Sequence, residues 1–285
     1  MSVRLEILRE KLKSEHPRKR IAIVLLILLI IIIWYEIPVT EHISLNGEGK
    51  ITSPVRFALV TDLHSCFYGK DEAHLIKMID VEQPDAILLS GDIFDDKISD
   101  DNAKNFIGAI ADKYSCYYVT GNHEFWSGRV DEMKNWLKDS GVTVLDGRCI
   151  SEEINGNFID FCGIDDPTHM TDIEWIDQLN RAYDESSPNH YRILLSHRPE
   201  RYEKYENYYF NLVVAGHAHG GQWRLPFVNI GMVAPDQYLF PRYISGLYEL
   251  DNNVKMIVSR GLARESMPLP RFFNHPELVI IDIAQ

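Results

Sequence analysis

The segment AGHAHGGQ, residues 215–222, places two histidines one residue apart, after an apolar run and before two glycines. In an extended turn, residues i and i+2 point to the same side, so His217 and His219 can face one site. Imidazole is a common metal ligand, and Gly220 and Gly221 let the backbone turn sharply beside such a site. The segment therefore predicts a metal-binding turn, provided that other parts of the chain supply further ligands.

Four other short apolar runs also end in side chains that can bind a metal ion. The runs FALVTDLH, AILLSGD, CYYVTGNHE and RILLSH end in Asp62 and His64, in Asp92, in Asn122 with His123 and Glu124, and in His197. Taken singly, each is more simply explained by turn chemistry or by a buried, hydrogen-bonded histidine. Together, the carboxylate, amide and imidazole donors are too many for one tetrahedral ion and suit two ions of manganese, iron or zinc. Two ions about 3.5–4 Å apart can clamp the attacking and leaving oxygens of a phosphoryl transfer.

The elements that must position these residues read as strands that alternate with helices. Each apolar run has the length and β-branched content of a buried strand, and helical patterns cover residues 72–81, 103–114 and 130–140. In such α/β sheets, ligands bind outside the carboxyl ends of the strands, so the five clusters would meet at one rim. Further strands, with fewer helices between them, predict a second and partly antiparallel sheet packed on the first: residues 158–164, 246–250, 255–259 and 278–283.

In their order along the chain, the five clusters resemble the signature of the calcineurin-like metallophosphoesterase family. They read Asp62-x-His64, Gly91-Asp92-x-x-Asp95, Gly121-Asn122-His123-Glu124, Ser196-His197-x-Pro199 and Gly216-His217-x-His219. The resemblance covers about residues 54–285 and implies an α/β fold, a four-layer α-β-β-α sandwich of two mixed sheets with the site at the strand rim. The segments Gly220-Gly221-Gln222, Pro235-Asp236 and 268–277 look most like the membrane-anchored bacterial branch, which includes phosphodiesterases.

The resemblance also implies a role for each matching residue. Asp62, His64 and His219 would hold the first ion, Asn122, His197 and His217 would hold the second, and Asp92 would bridge the two. A hydroxide shared by the ions would attack phosphorus in line, while His123 would contact the phosphate or protonate the leaving oxygen. Asp95 and Glu124 would orient the histidines. One of four arginines is expected to contact an anionic group of the substrate: Arg224, Arg260, Arg264 or Arg271.

These roles predict a metal-dependent phosphoric ester hydrolase that acts on phosphodiesters. The alternatives are a lipid or nucleotide-sugar-lipid pyrophosphatase, similar to the enzymes that hydrolyse UDP-diacylglucosamine, and a non-catalytic metal-binding module. The intact ligand set argues against the module, and purely structural ions usually sit in closed tetrahedral sites. The expected metal is manganese, with iron or zinc as alternatives, and the substrate is a phosphoester that could be lipid-linked. A net charge of −13 argues against nucleic acid as a stable partner.

The N-terminal region predicts attachment to a membrane. The 15 residues 21–35 form an uninterrupted apolar run preceded by basic residues, which predicts a transmembrane anchor over 21–37, a cytoplasmic segment over 1–20 and an extracytoplasmic catalytic domain. Residues 38–53 read as a connector and 54–285 as the metallophosphoesterase domain. A cleaved signal peptide is the alternative, although no small-x-small cleavage site follows the run.

The four cysteines show no spacing typical of a zinc site. They are Cys66, Cys116, Cys149 and Cys162. Most are expected to be buried, and an extracytoplasmic domain could contain disulfides, whose pairing the sequence leaves open.

Overall fold

The computed structural model describes residues 17–225, 228, 230–264 and 270–285. Residues 1–16 of the predicted cytoplasmic segment lie outside this range. Helix α1 (Pro17–Tyr35) contains the apolar run, but its first turn has the sequence PRKR, which leaves only 15 residues without a charge. Within the described ranges, no helix is both long and apolar enough to cross a membrane, so the anchor predicted over 21–37 is not confirmed.

The remaining helices and the strands follow the order that the sequence predicts. The helices are α2 (Ala73–Glu82), α3 (Asp101–Ala111), α4 (Asn122–Trp126), α5 (Val130–Asp139), α6 (Asp172–Asp184) and α7 (Tyr202–Tyr205). The strands are β1 (Val39–Asn46), β2 (Val55–Val60), β3 (Ala86–Ser90), β4 (Ser115–Val119), β5 (Thr143–Val144), β6 (Arg148–Ile154), β7 (Asn157–Gly163), β8 (Tyr191–Leu195), β9 (Leu212–Ala215), β10 (Val233–Ala234), β11 (Tyr238–Leu239), β12 (Gly246–Glu249), β13 (Lys255–Val258) and β14 (Glu277–Ala284). The three helical patterns predicted from the sequence correspond to α2, α3 and α5.

Twelve of these strands form two mixed sheets of six strands each, which confirms the prediction of two mixed sheets, and β10 and β11 pair separately as an antiparallel hairpin. The first has the order β1-β14-β2-β3-β4-β5, in which β2 to β5 are parallel and β14 runs antiparallel to β2. The second has the order β12-β13-β9-β8-β7-β6, with antiparallel strands at both edges. Strand β1 lies in the segment predicted as a connector and pairs in parallel with β14, so part of that segment belongs to the first sheet.

Three apolar layers hold the two sheets and their helices together. Between the sheets, Phe161 of β7 stacks on Tyr117 and meets Phe57 edge-on. On the outer face of the first sheet, α3 buries its side chains at the spacing of one helical face: Ala103, Phe106, Ile107 and Ile110. Helix α6 covers the second sheet through Trp175 and Leu179. The described residues thus form a sandwich in which helices cover both outer faces.

This topology determines where the polar clusters lie. Strands β2, β3 and β4 are parallel in the first sheet, and β8 and β9 are parallel in the second. The residues that follow these five strands therefore leave each sheet at the carboxyl ends of its parallel strands, where open α/β sheets bind ligands.

The cysteines divide into one pair and two buried thiols. Cys149 and Cys162 are opposite each other across β6 and β7 and are joined by a disulfide. Cys66 and Cys116 are buried.

Candidate metal centre

One group of potential ligands comes from the turns after β2 and β9. The ligand atoms of Asp62, His64 and His219 all lie within 4.8 Å of one another, and all three side chains are buried. The Asp62 carboxylate also accepts the backbone N–H of His217 at 2.9 Å, which ties the two turns together. This group matches the first ligand set that the sequence predicts.

A second group comes from the turns after β3, β8 and β9. The ligand atoms of Asp92, His197 and His217 also lie within 4.8 Å of one another. Asp92 Oδ2 is 3.1 Å from His197 Nε2 and 3.6 Å from His64 Nε2, so this carboxylate lies between the two groups. Its other oxygen accepts the backbone N–H of His123 at 2.8 Å. Asp92 therefore has the position expected of a ligand that two ions share.

The turns that present these side chains have an unusual backbone conformation. Asp62, His64, Asp92, His217 and His219 all have φ between 46° and 63°. This left-handed region is sparsely populated by residues other than glycine and costs on the order of 1–3 kcal/mol for each residue. Such strain is typical of functional sites, where the surrounding structure imposes it.

The centre contains buried polar atoms that make no well-aligned hydrogen bond with the described residues, even where a neighbour such as His197 Nε2 lies 3.1 Å from Asp92 Oδ2. They are His64 Nε2, Asp92 Oδ2, Asn122 Oδ1, His197 Nε2 and His219 Nδ1. A buried polar atom without a partner is costly, so atoms of this kind that gather at one place indicate a ligand.

In His64 and His197, the hydrogen bond made by Nδ1 shows that Nε2 is the nitrogen available to bind a metal ion. His64 Nδ1 donates to Asp95 Oδ2 at 3.0 Å, and His197 Nδ1 donates to the Ser90 carbonyl at 2.9 Å. Since these oxygens only accept, each neutral ring has its proton on Nδ1 and a lone pair on Nε2. The residues present therefore fit divalent cations, and Asp95 orients His64 as the sequence predicts.

The electrostatics of the centre also favour cations. Burial lowers the pKa of His197, but the carboxylates of Asp92 and Asp62 outweigh it and raise that pKa to about 10. Burial tends to raise the pKa of Asp92, and the neighbouring imidazoles, His197 first, hold it well below its usual value. The carboxylates thus create a negative potential that either protons or metal ions can neutralise.

His123 lies next to this centre with a partly exposed ring. Its Nδ1 is 2.7 Å from Asp96 Oδ1 and 3.5 Å from Asp95 Oδ2. Burial lowers the pKa of His123 below its usual value, and the nearby carboxylates of Asp92, Asp95 and Asp96 offset this only in part. Because the carboxylates only accept, Nδ1 carries a proton, and the ring can donate from Nε2 only as an imidazolium. Asp96, which the sequence motif does not include, is therefore a partner of the predicted catalytic histidine.

Glu124 has a different role from the one predicted. Its fully buried carboxylate accepts four backbone N–H groups, at distances of 2.8–3.1 Å, from Asp92, Ile93, Phe94 and Gly121. Burial and the nearby Asp92 raise the pKa of Glu124 to about 7. Glu124 thus joins the turns after β3 and β4 and braces the backbone, rather than orienting the histidines.

Arg198 is a site residue that the sequence analysis missed. The Nη2 atom of Arg198 donates to Asp166 Oδ1 at 3.0 Å, and its Nη1 is 2.9 Å from His217 Nε2. Nη1 also contacts the carboxylate of Asp236, which is 3.1 Å from His217 Nε2. In the motif Ser196-His197-x-Pro199 this arginine occupies the variable position, so the signal available was a basic residue directly after a predicted ligand.

The four arginines singled out from the sequence have other surroundings. Arg260 forms ion pairs with Glu41 and Glu277, and Arg264 Nε is 3.5 Å from Glu36. The buried Arg271 donates to the backbone carbonyl of Ala263, and Arg224 and Arg260 line a separate cavity. The expected contact between one of these arginines and the substrate stays a prediction.

A cavity of about 620 Å³ adjoins Arg198 and Asp236. Its charged lining has both signs: Arg198, Arg201, Lys204, Glu200, Glu203 and Asp236. Trp126, beside His123, provides an apolar wall. The cavity can hold a substrate group that extends beyond the phosphorus.

Comparison with known proteins agrees with this geometry. The family model for calcineurin-like phosphoesterases matches residues 55–221. An uncharacterised metallophosphoesterase from Campylobacter jejuni is 28% identical over 84% of this chain and 60% of its own length. The Escherichia coli phosphodiesterase YaeI is 26% identical over 88% of this chain and 89% of its own length.

A bovine relative is named a transmembrane protein with a metallophosphoesterase domain. It is 25% identical over 81% of this chain and 53% of its own length. The chain therefore spans only about half to three fifths of the length of several curated relatives.

Proposed function

Since this chain belongs to the calcineurin-like phosphoesterase family and is a metal-dependent phosphoric ester hydrolase, we propose that it hydrolyses phosphodiesters with two divalent ions. The observation that carries the proposal is the set of buried nitrogen and oxygen atoms without partners around Asp92. The name of the Escherichia coli relative, a phosphodiesterase that this chain matches over most of both lengths, supports a diester substrate.

The seven predicted ligands divide between the two ions. Asp62, His64 and His219 would hold the first ion, Asn122, His197 and His217 would hold the second, and Asp92 would be shared. The grouping of their ligand atoms supports this assignment for six of the residues, and the buried amide oxygen of Asn122 supports it for the seventh. Manganese is the expected metal because the donors are oxygen and imidazole, with iron or zinc as alternatives.

His217 would need to change its contacts only if it bound an ion through Nε2, since either ring nitrogen can be the ligand atom. In this structure that nitrogen contacts Arg198 and Asp236. Asp236 is more than half exposed and lies in the turn between β10 and β11, so it can withdraw more easily than the buried Arg198.

When bound, the two ions lower the pKa of water and stabilise the attacking and leaving oxygens. The residues of the chain complete the reaction around them. His123, held at Nδ1 by Asp96, would give the Nε2 proton of its imidazolium form to the leaving oxygen. Asp92 Oδ1 accepts the backbone N–H of His123, so the proposed shared ligand also fixes the position of the proposed general acid.

We also propose attachment to a membrane through α1, with the catalytic domain outside the cytoplasm. The apolar side chains of residues 21 and 23–30 are exposed, and basic residues precede them. The disulfide between Cys149 and Cys162 is typical of an oxidising compartment, and the bovine relative is named a transmembrane protein. A reporter fused after Gln285 that is active only in the cytoplasm would contradict this orientation.

The test of the activity compares two esters on the full-length chain. The chain is stripped of metal, reloaded with Mn²⁺ and assayed with bis-p-nitrophenyl phosphate and p-nitrophenyl phosphate. We expect metal-dependent cleavage of the diester, lost in Asp92→Asn and His217→Ala. If neither ester is cleaved although two ions are bound, the proposal is wrong, and a pyrophosphatase of narrow specificity or a binding module takes its place.

A further inference from the structure

The segment 223–243, which follows the Gly220-Gly221 turn, exposes an unusual group of apolar side chains. We call the following exposed residues the apolar edge: Leu225, Val228, Ile230, Tyr238, Leu239 and Phe240. At its tip, Tyr238 is 81% exposed, Leu239 70% and Phe240 63%. Large apolar side chains that cluster on a surface mark an interaction site, whereas single ones are ordinary.

The apolar edge is held in place by hydrogen bonds at its base. The side-chain amide of Gln237 donates to the Tyr243 carbonyl at 2.8 Å and accepts the Tyr243 N–H at 2.9 Å. The N–H of Phe240 donates to the Met232 carbonyl at 3.1 Å, and Ala234 is buried in the core. The outward position of Tyr238, Leu239 and Phe240 is therefore part of the folded structure.

Helix α1 enters the fold at the same rim. Strand β1 is parallel to β14, and β14 is antiparallel to β2, so β1 begins at the carboxyl end of β2, beside the metal centre. His275 Nδ1 donates to the Ile37 carbonyl at 2.9 Å, directly after α1. Near His275, Phe272 packs edge-on against Trp223, the first residue of the segment that carries the apolar edge. Residues 272–275 thus contact both the residues that follow α1 and the segment that carries the apolar edge.

The composition of the segment 223–243 favours lipid as its partner. In a chain of net charge −13, these 21 residues contain two arginines and a single acidic residue, Asp236, whose carboxylate contacts Arg198. Tryptophan, tyrosine and phenylalanine all occur in it, and aromatic rings with a few arginines are typical of the lipid–water interface.

We propose that the apolar edge docks on a lipid surface and thereby holds the opening of the catalytic cavity against it. Asp236, in the turn between β10 and β11, lines that cavity and touches His217. Docking of the edge therefore presents the metal centre to phosphoesters whose acyl chains remain in the lipid. This inference concerns binding and is independent of the proposed diester hydrolysis.

The test places an environment-sensitive fluorophore on the apolar edge. Leu239→Cys in the full-length chain is labelled with nitrobenzoxadiazole and reconstituted in vesicles of phosphatidylcholine and phosphatidylglycerol. The matched control is Val81→Cys, because Val81 is also apolar, is 70% exposed and lies on α2. The end of α2 contacts the start of β2, where Glu82 meets Arg56, so Val81 lies at the opposite end of the sheet from the metal centre.

We expect the emission from position 239 to shift to shorter wavelength and to be quenched by doxyl-labelled lipid, with neither change at position 81. Emission from position 239 that stays as in water overturns the proposal. A shift to shorter wavelength without quenching by doxyl lipid also overturns it, because a protein or a second copy of the chain then covers the edge. Retained melting temperature in unlabelled Leu239→Cys confirms that the variant folds.

Discussion

Replacing Asp96 by asparagine tests how His123 acts. The 2.7 Å contact between His123 Nδ1 and Asp96 stabilises the imidazolium form, the only form that can donate from Nε2. A hydrogen bond between charged groups contributes about 1.5–3 kcal/mol, which corresponds to a change of roughly 10- to 150-fold in the equilibrium between imidazolium and imidazole. Asp95, at 3.5 Å, keeps part of that stabilisation, so the loss belongs at the lower end of this range.

The expected consequence depends on the leaving group. At neutral pH, Asp96→Asn should contain about 10-fold less imidazolium and hydrolyse an alkyl phosphodiester about 10-fold more slowly. Cleavage of bis-p-nitrophenyl phosphate should change little, because p-nitrophenolate leaves without being protonated. The assay is kcat and kcat/KM for both esters in the manganese-loaded enzyme, with Asp101→Asn, an exposed aspartate at the start of α3, as control.

An equal loss on both esters would mean that Asp96 supports the metal centre rather than the acid. Unchanged hydrolysis of the alkyl ester would mean that His123 does not protonate the leaving group. Either result refutes the role derived for this pair.

Three further predictions concern stability. Glu124→Gln turns an amide NH2 toward two of the four backbone N–H groups that the carboxylate accepts, so the melting temperature at pH 8 should fall by about 5–15 °C. The exposed Glu132→Gln should melt almost unchanged, and equal melting of the two variants would contradict the bracing role. Because burial and Asp92 raise the pKa of Glu124 from 4.5 to about 7, the folded chain binds this proton more tightly than the unfolded chain. The unfolding free energy of the metal-free chain should therefore decrease as pH rises from 4.5 to 7, and denaturant titrations should find this contribution missing in Glu124→Gln. Arg198→Ala removes the cation that pairs with the buried Asp166 and should cost about 3–5 kcal/mol in denaturant unfolding. Arg201→Ala should cost far less, because its pair with Asp172 is exposed, and similar costs for the two variants would argue against the buried pair.

The strand-end clusters could be predicted because their positions follow from local rules. A buried strand is readable from a short apolar run, and the carboxyl ends of parallel strands meet at one edge. Asp62, Asp92, His197 and His217 each follow such a strand directly, so their convergence needed no tertiary information.

Other features depend on pairings that no local pattern encodes. Arg198 is buried because Asp166, 32 residues away, neutralises it, and Asp236 reaches His217 from a hairpin that the sequence did not reveal. The family resemblance gives Glu124 the role of orienting the histidines, but the α4 turn directs its carboxylate to backbone N–H groups. The pairing of Cys149 with Cys162 required the register of β6 and β7.

Metal content measured together with activity tests most directly whether two ions share Asp92. The full-length chain and Asp92→Asn are loaded with Mn²⁺, freed of excess metal and analysed by mass spectrometry for ions bound per chain, and the same samples are assayed with bis-p-nitrophenyl phosphate. We expect two ions and diester cleavage in the unchanged chain, and loss of at least one ion together with the activity in Asp92→Asn. An active chain with a single ion, or an Asp92→Asn variant that keeps both ions and full activity, would contradict the account.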